Sequence, residues 1–135
     1  MPTIQIRPAQ ASDRADVEAI CADIWDESDD YVPEVWDEWL ADGSGRLVVA
    51  EMANRISGLA RLTHLSGDEW WLEGLRVRPE DQRRGVASQL QAHLVDAFRR
   101  TERGILRFAT HSENHPVHRL AARDGFRHVA TYRLY

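Results

Sequence analysis

Six consecutive residues, Gln82-Arg83-Arg84-Gly85-Val86-Ala87, are the strongest chemical signal in this chain. If a helix opens there, the amides of Arg83 to Ala87 form a first turn with no intrahelical partners, and small residues at 85 and 87 let an anion approach the backbone. Arg83 and Arg84 add positive charge at a helix end where acids are ordinarily preferred, so local stability alone does not favour them. The pattern asks for a phosphate or diphosphate, although a glycine at that point also serves tight packing of helix on sheet. Upstream, Glu73 alternates with Trp71, Leu75 and Val77, an expected apolar strand face that suits a carboxylate to proton transfer. The competing reading gives Glu73 a structural ion pair with an arginine such as Arg61 on the neighbouring strand.

Other reactive side chains carry less. Cys21, the only cysteine, lies on an apolar helical stripe and reads as a core thiol, and no intrachain disulfide can form. His111, His115 and His118 invite a metal, but Pro116 and the change from strand to loop separate the first from the other two, and no carboxylate completes the set, so no metal is expected.

The elements that must position these groups follow from periodicity. Thr3 to Arg7 alternates as a strand, and Ser12-Asp13 opens a helix with Val17, Ile20, Cys21 and Ile24 inward. Val32, Val35, Trp36, Trp39 and Leu40 mark a second helix, ended by Asp42-Gly43-Ser44-Gly45. Arg46 to Met52, Ile56 to Leu65 and Trp70 to Val77 read as a three-stranded meander that Pro79 stops. A long helix is expected from about Arg83 to Arg100, a strand from Ile105 to Thr110, a short helix begun near Pro116 and capped by Gly125-Phe126, and a final strand from Phe126 to Tyr135. Strand, helix, strand over residues 70 to 110 is a parallel crossover, so the fold class is α/β or α+β with a mixed sheet.

With these elements in place, Leu75-Arg76-Val77-Arg78-Pro79-Glu80-Asp81-Gln82-Arg83-Arg84-Gly85-Val86-Ala87 resembles the acetyl-CoA signature of the GNAT superfamily of N-acetyltransferases. Asn114-His115-Pro116, followed by Leu120-Ala121-Ala122-Arg123-Asp124-Gly125-Phe126, is similar to the short helix closing in Gly-Phe that the same family carries. The resemblance spans about residues 70 to 126. It implies a mostly antiparallel sheet with one parallel crossover at the coenzyme, and direct attack of an amine on the thioester of acetyl-CoA with no covalent intermediate. It further implies that Leu75, Arg76 and Val77 offer backbone groups to the pantetheine arm at a strand bulge beside a V-shaped opening. Gln82, Arg83, Arg84, Gly85, Val86 and Ala87 would hold the pyrophosphate, and Asn114 would contact the coenzyme arm. Glu73 falls where relatives carry a strand glutamate, and becomes the candidate base. The family's proton-donating tyrosine would follow Leu120, where this chain has Ala121, leaving His118 or a water as candidate acid, with Tyr132 and Tyr135 weaker ones. Trp25, Trp36 and Trp39 lie on the helices that roof the acceptor pocket in relatives, and Trp25, Asp29 and Trp36 are the candidate acceptor-binding residues, an aromatic wall beside acids that would suit an amine.

Bulk properties bound the remaining classes. At 135 residues and 43% hydrophobic the chain suits one domain over residues 1–135. A formal charge of −5, with 17 arginines and no lysine, argues against a general nucleic-acid binder. The run from Asp26 to Asp42 is acidic throughout, a solvated face or a lure for a cationic acceptor. No segment suits a membrane span and the start lacks a leader pattern, so a cytoplasmic protein is expected. The expected acceptor is a small-molecule or peptide amine. A non-catalytic acyl-CoA-binding module, or transfer of another acyl group, are the alternatives. Relatives commonly follow the final strand with one more, so the last strand's edge predicts a homodimer or a chain lacking its final strand.

Overall fold

The computed structural model describes residues 2–22 and 30–132, and Trp25 and Asp29 therefore lie outside the described residues. Five strands form one sheet in the order β1-β2-β3-β4-β5. They are β1 (Gln5–Pro8), β2 (Arg46–Met52), β3 (Arg55–Ser66), β4 (Glu69–Val77) and β5 (Ile105–Arg107). The first three pairings are antiparallel and β4–β5 is parallel. Helices α1 (Arg14–Ala22), α2 (Val32–Ala41), α3 (Val86–Thr101) and α4 (His115–Arg123) flank it.

The two-residue period of the central strands sorts the core into two layers. Leu47, Val49, Ile56 and Leu59 join Val17, Ile20, Cys21, Val32, Trp36 and Trp39 from α1 and α2. Val48, Ala50, Ala60, Leu62, Trp70 and Leu72 pack on the other face against Val86, Leu90, Leu94 and Val95 of α3. Because both faces are covered, β2 and β3 read as nearly unbroken apolar runs.

That alternation breaks at one place, and the break decides which residues meet. Arg61 faces Glu73 and Leu59 faces Arg76, so Ala60 alone stands opposite both Gly74 and Leu75. This is a β-bulge, and Gly74 supplies the left-handed backbone it needs, with φ of 70°. A Cβ on Gly74 would lie 2.9 Å from the Trp39 ring, so glycine also admits α2 against the strand. The extra residue inverts the pleat. Leu75 and Val77 pack on the α3 side, whereas Glu73 keeps the side of Arg61 and α2. The expected common face of Trp71, Glu73, Leu75 and Val77 is thus corrected: uninterrupted period-two counting fails across a bulge.

Other boundaries also move. The long helix begins at Val86 rather than near Arg83, because Arg83 and Gly85 are left-handed, with φ of 66° and 86°. β5 ends at Arg107, short of Thr110. Residues 126 to 132 form no strand, and Val129 and Tyr132 are exposed. Gly125 and Phe126 do close α4 as expected: the Phe126 amide bonds the Ala121 carbonyl at 2.9 Å and the Gly125 amide that of Ala122 at 3.2 Å. The Phe126 ring meets Phe108 edge to face. Among the described residues no helix is long and apolar enough to cross a membrane.

Candidate active site

The turn between β4 and α3 is built from opposed requirements. Pro79 opens a 3₁₀ turn through Asp81, whose carboxylate is buried and receives the Arg55 guanidinium at 3.0 and 3.1 Å, with Arg84 at 3.9 Å. Asp81 thereby ties the loop to β3 without presenting its charge outward. Two left-handed residues then turn the chain so that α3 starts pointing out of the loop. The first backbone bond is from the Gln89 amide to the Gly85 carbonyl at 3.0 Å, leaving the amides of Val86, Ala87 and Ser88 as the open donors of the first turn. Nothing lies within 4 Å of where a Gly85 Cβ would stand, and no acid occupies the first turn. Amides without intrahelical partners, free space beside Gly85 and the guanidinium groups of Arg83 and Arg84 suit a diphosphate. Arg123 of α4 hydrogen-bonds the Ser88 hydroxyl and, at 3.2 Å, its carbonyl, which docks α4 on that first turn.

Beside this turn the sheet comes apart. β4 pairs with β5 only over Glu69–Trp71, so among the described residues Leu72 to Val77 have no ladder partner on that side. The bulge lies within the unpaired stretch. Backbone groups of Leu75, Arg76 and Val77 are there, next to the turn that opens α3. An extended, amide-bearing chain fits such an opening in the way an added strand would.

Glu73 sits at the head of the opening and faces α2. One carboxylate oxygen accepts the Tyr31 hydroxyl proton at 3.1 Å, and the other accepts the Thr63 hydroxyl at 2.6 Å. Arg61 does not pair with it. That guanidinium is directed to Asp42 at 2.8 Å, the Trp39 carbonyl at 3.0 Å and the Thr63 oxygen at 3.0 Å. On the other flank Arg76 grips the Asp30 carboxylate at 2.7 and 3.2 Å and lies 5.7 Å from the centre of the Tyr31 ring. The surroundings of Glu73 are therefore polar and aromatic, rather than apolar as the strand pattern suggested.

These contacts set the ionisation of the neighbours. Burial pushes the Tyr31 phenol up to about 12, and the Glu73 charge adds to the effect. Burial would raise Asp30, but the Arg76 guanidinium and the Val32 amide outweigh it and hold the carboxyl below its usual range. Burial, with Asp30 alongside, pushes the Cys21 thiol up to about 12, in keeping with a core thiol.

The remaining candidates are scattered. Asn114 caps α4, accepting the Val117 amide at 3.4 Å and donating to the Thr110 hydroxyl at 3.3 Å. His118 on α4 contacts the His111 carbonyl at 3.3 Å and the rings of His115 and His128, and it is not among the hydrogen-bond partners of Glu73. Trp36 is a core residue, 1% exposed. It shares a helical stripe with Trp39, but Trp39, nearly a turn further on, is the ring that reaches the bulge and meets Tyr31 edge to face at 6.0 Å. Tyr31 and Thr63 carry no reading of their own in the sequence, and Asp30 only one as part of the acidic run from Asp26 to Asp42. Their only joint advance signal is that Gly74 demands a bulge, which turns Arg76 onto the face of Glu73.

Comparison with known proteins bears on the fold and the family. No significant match is found among curated proteins. Solved structures align over nearly the whole chain. An aminoglycoside N-acetyltransferase, AAC(6')-Iy in complex with CoA, superposes with a TM-score of 0.78 at 19% identity, covering 100% of this chain and 95% of that one. The ribosomal-protein-S18-alanine N-acetyltransferase of Escherichia coli gives 0.79 at 17%, covering 95% and 80%. A GNAT-family acetyltransferase from Staphylococcus aureus Mu50 gives 0.80 at 14%, covering 95% and 87%. At such identities these likenesses establish the fold. The sequence model of the acetyltransferase (GNAT) family matches residues 13–126, which span the bulge, the open helix terminus and the Gly-Phe cap, and the chain belongs to that family.

Proposed function

We propose that the chain is an N-acetyltransferase that moves the acetyl group of acetyl-CoA to a primary amine by direct attack. The observation that carries this reading is the coincidence of three features within one turn of chain: the unpaired β4 edge, the bulge at Gly74, and the open donors beyond Gly85. Leu75, Arg76 and Val77 would pair through their backbones with the pantetheine arm. Gln82, Arg83, Arg84, Gly85, Val86 and Ala87 would receive the pyrophosphate, the amides of Val86 and Ala87 directly. Asn114, which holds the start of α4, would line the arm near the pantetheine.

Acetyl-CoA supplies an activated acyl group whose carbonyl is open to a neutral amine. Glu73 takes the proton of the incoming ammonium, so that nitrogen can form the new C–N bond as the C–S bond breaks. A backbone amide of Leu75 or Arg76 polarises the carbonyl oxygen. After attack the nitrogen loses its second surplus proton to water, and the departing sulfur takes one from water or from His118, since Ala121 cannot supply one. Trp25 and Asp29 remain candidates for the acceptor wall, whereas Trp36 would act through packing of α2. Two fold neighbours are named for amine acceptors, an aminoglycoside and a ribosomal protein's alanine, which supports the acceptor class and leaves its identity open.

Free thiol released from acetyl-CoA in the presence of aminoglycosides, polyamines and peptides with free N-termini tests the proposal. Turnover with at least one amine is expected, lowered at least about tenfold in Gly85→Glu at subsaturating acetyl-CoA. Thermal protection by acetyl-CoA with no thiol release from any acceptor would instead favour an acyl-CoA-binding module.

A further inference from the structure

We infer that Tyr31 is a positioning residue for the base: its hydroxyl and that of Thr63 hold opposite oxygens of Glu73 and so fix the lone pairs that face the acceptor amine. The inference rests on the reading of Glu73 as the base. Thr63 is committed to its role by what lies behind it. Its oxygen accepts the Arg61 Nε proton at 3.0 Å, and Arg61, 1% exposed, is anchored by Asp42 and the Trp39 carbonyl. The single Thr63 proton therefore goes to Glu73, at 2.6 Å. This fixes one carboxylate oxygen from within the sheet.

The second oxygen is fixed from the helical layer. Tyr31 immediately precedes α2, and its ring is clasped between the edge of Trp39 and the Arg76 guanidinium. Arg76 is in turn bound to Asp30, which also accepts the Val32 amide at 3.1 Å. The start of α2 and the bulged strand are thus cross-linked at the point where the phenol meets the carboxylate. Tyr31 is 42% exposed, and its bond to Glu73 lies at the surface rather than in the core. Tyr31→Phe keeps the clasped ring and removes only the bond to Glu73.

Two measurements test this. The first follows acetyl transfer from acetyl-CoA to spermidine and to a short peptide with a free N-terminus. Tyr31→Phe is expected to lower kcat about tenfold with Glu73 present, with KM for acetyl-CoA and Tm nearly unchanged, and by less than about twofold in Glu73→Gln. Equal losses in both backgrounds would reduce Tyr31 to a structural residue and overturn the inference. A costly Glu73→Gln beside a silent Tyr31→Phe would sink the role of Tyr31 alone, whereas a silent Glu73→Gln would remove the base itself.

The second measurement needs no turnover. In protein carrying Tyr132→Phe and Tyr135→Phe, Tyr31 is the sole remaining tyrosine. Its phenolate absorbance near 295 nm should be nearly absent at about pH 10.5, where an ordinary tyrosine is mostly ionised, and should rise severalfold in Glu73→Gln. A phenol already ionised at that pH with Glu73 intact, or indifferent to Glu73→Gln, would contradict the contact.

Discussion

Glu73 accepts hydroxyl protons on both oxygens and is not paired with Arg61, although Arg61 stands directly across the ladder. An ion pair there would have lowered the carboxylate's readiness to receive a proton from the acceptor. Diverting Arg61 to Asp42 and the Trp39 carbonyl removes that competitor while keeping the cation satisfied. Glu73→Gln should therefore cut kcat by about 10²- to 10³-fold with KM for acetyl-CoA little changed, as steady-state kinetics would show. Cys21 provides a contrasting case. Burial raises its thiol to about 12, so alkylation by iodoacetamide at pH 8 should be at least about a hundredfold slower in native protein than in urea. Rapid native labelling would mean that α1 does not pack as described. At this scale sequence was informative for Cys21, whose helical stripe placed it inside, and uninformative for Tyr31 and Thr63. A lone tyrosine before a helix and a threonine in a strand acquire meaning only through the register of β3 on β4.

At the scale of elements, the bulge does more than any helix to create the site. It flips Leu75 and Val77 to α3 while leaving Glu73 and Arg76 together facing α2. Gly74→Ala would force a positive φ on alanine and press a methyl against Trp39, costing about 2 kcal/mol in chemical denaturation, with a loss of kcat from displacing Glu73. At Gly85 the space is open, so Gly85→Ala should cost only about 1 kcal/mol from its left-handed backbone, and leave the fold intact. The order of elements was legible because core stripes and turn residues agreed over most of the chain. The exact start of α3 was not, since the apolar stripe cannot show that Arg83 and Gly85 adopt left-handed turns first. Nor was the fate of residues 126 to 132, where alternating Val129 and Thr131 imitate a strand but lack a paired neighbour among the described residues.

Across the whole molecule, buried carboxylates link the layers and make stability depend on acid pH. Asp13, held by Arg7 at 2.9 and 3.0 Å, and Asp30, held by Arg76, both stay below the usual carboxyl range although burial opposes this. Their folded values are depressed, so their contribution is complete above the unfolded value of 3.8 and is lost as pH falls through the lower folded values. Tm should accordingly hold between pH 5 and 8 and drop below about pH 4, and Asp30→Asn should flatten that drop while costing about 2 kcal/mol at neutral pH, because it removes the negative charge that Arg76 grips through two bonds. A Tm independent of pH between 5 and 2 would contradict these pairs.

Calorimetric titration of acetyl-CoA into the protein, beside Gly85→Glu, reaches the central claim most directly. An open helix terminus beside a parted sheet predicts one-site binding, and a glutamate carboxylate in the space before Val86 should weaken it at least about tenfold without unfolding the chain. Absence of binding heat in the unaltered protein, or equal affinity in a folded Gly85→Glu, would contradict the assignment of this turn to the coenzyme.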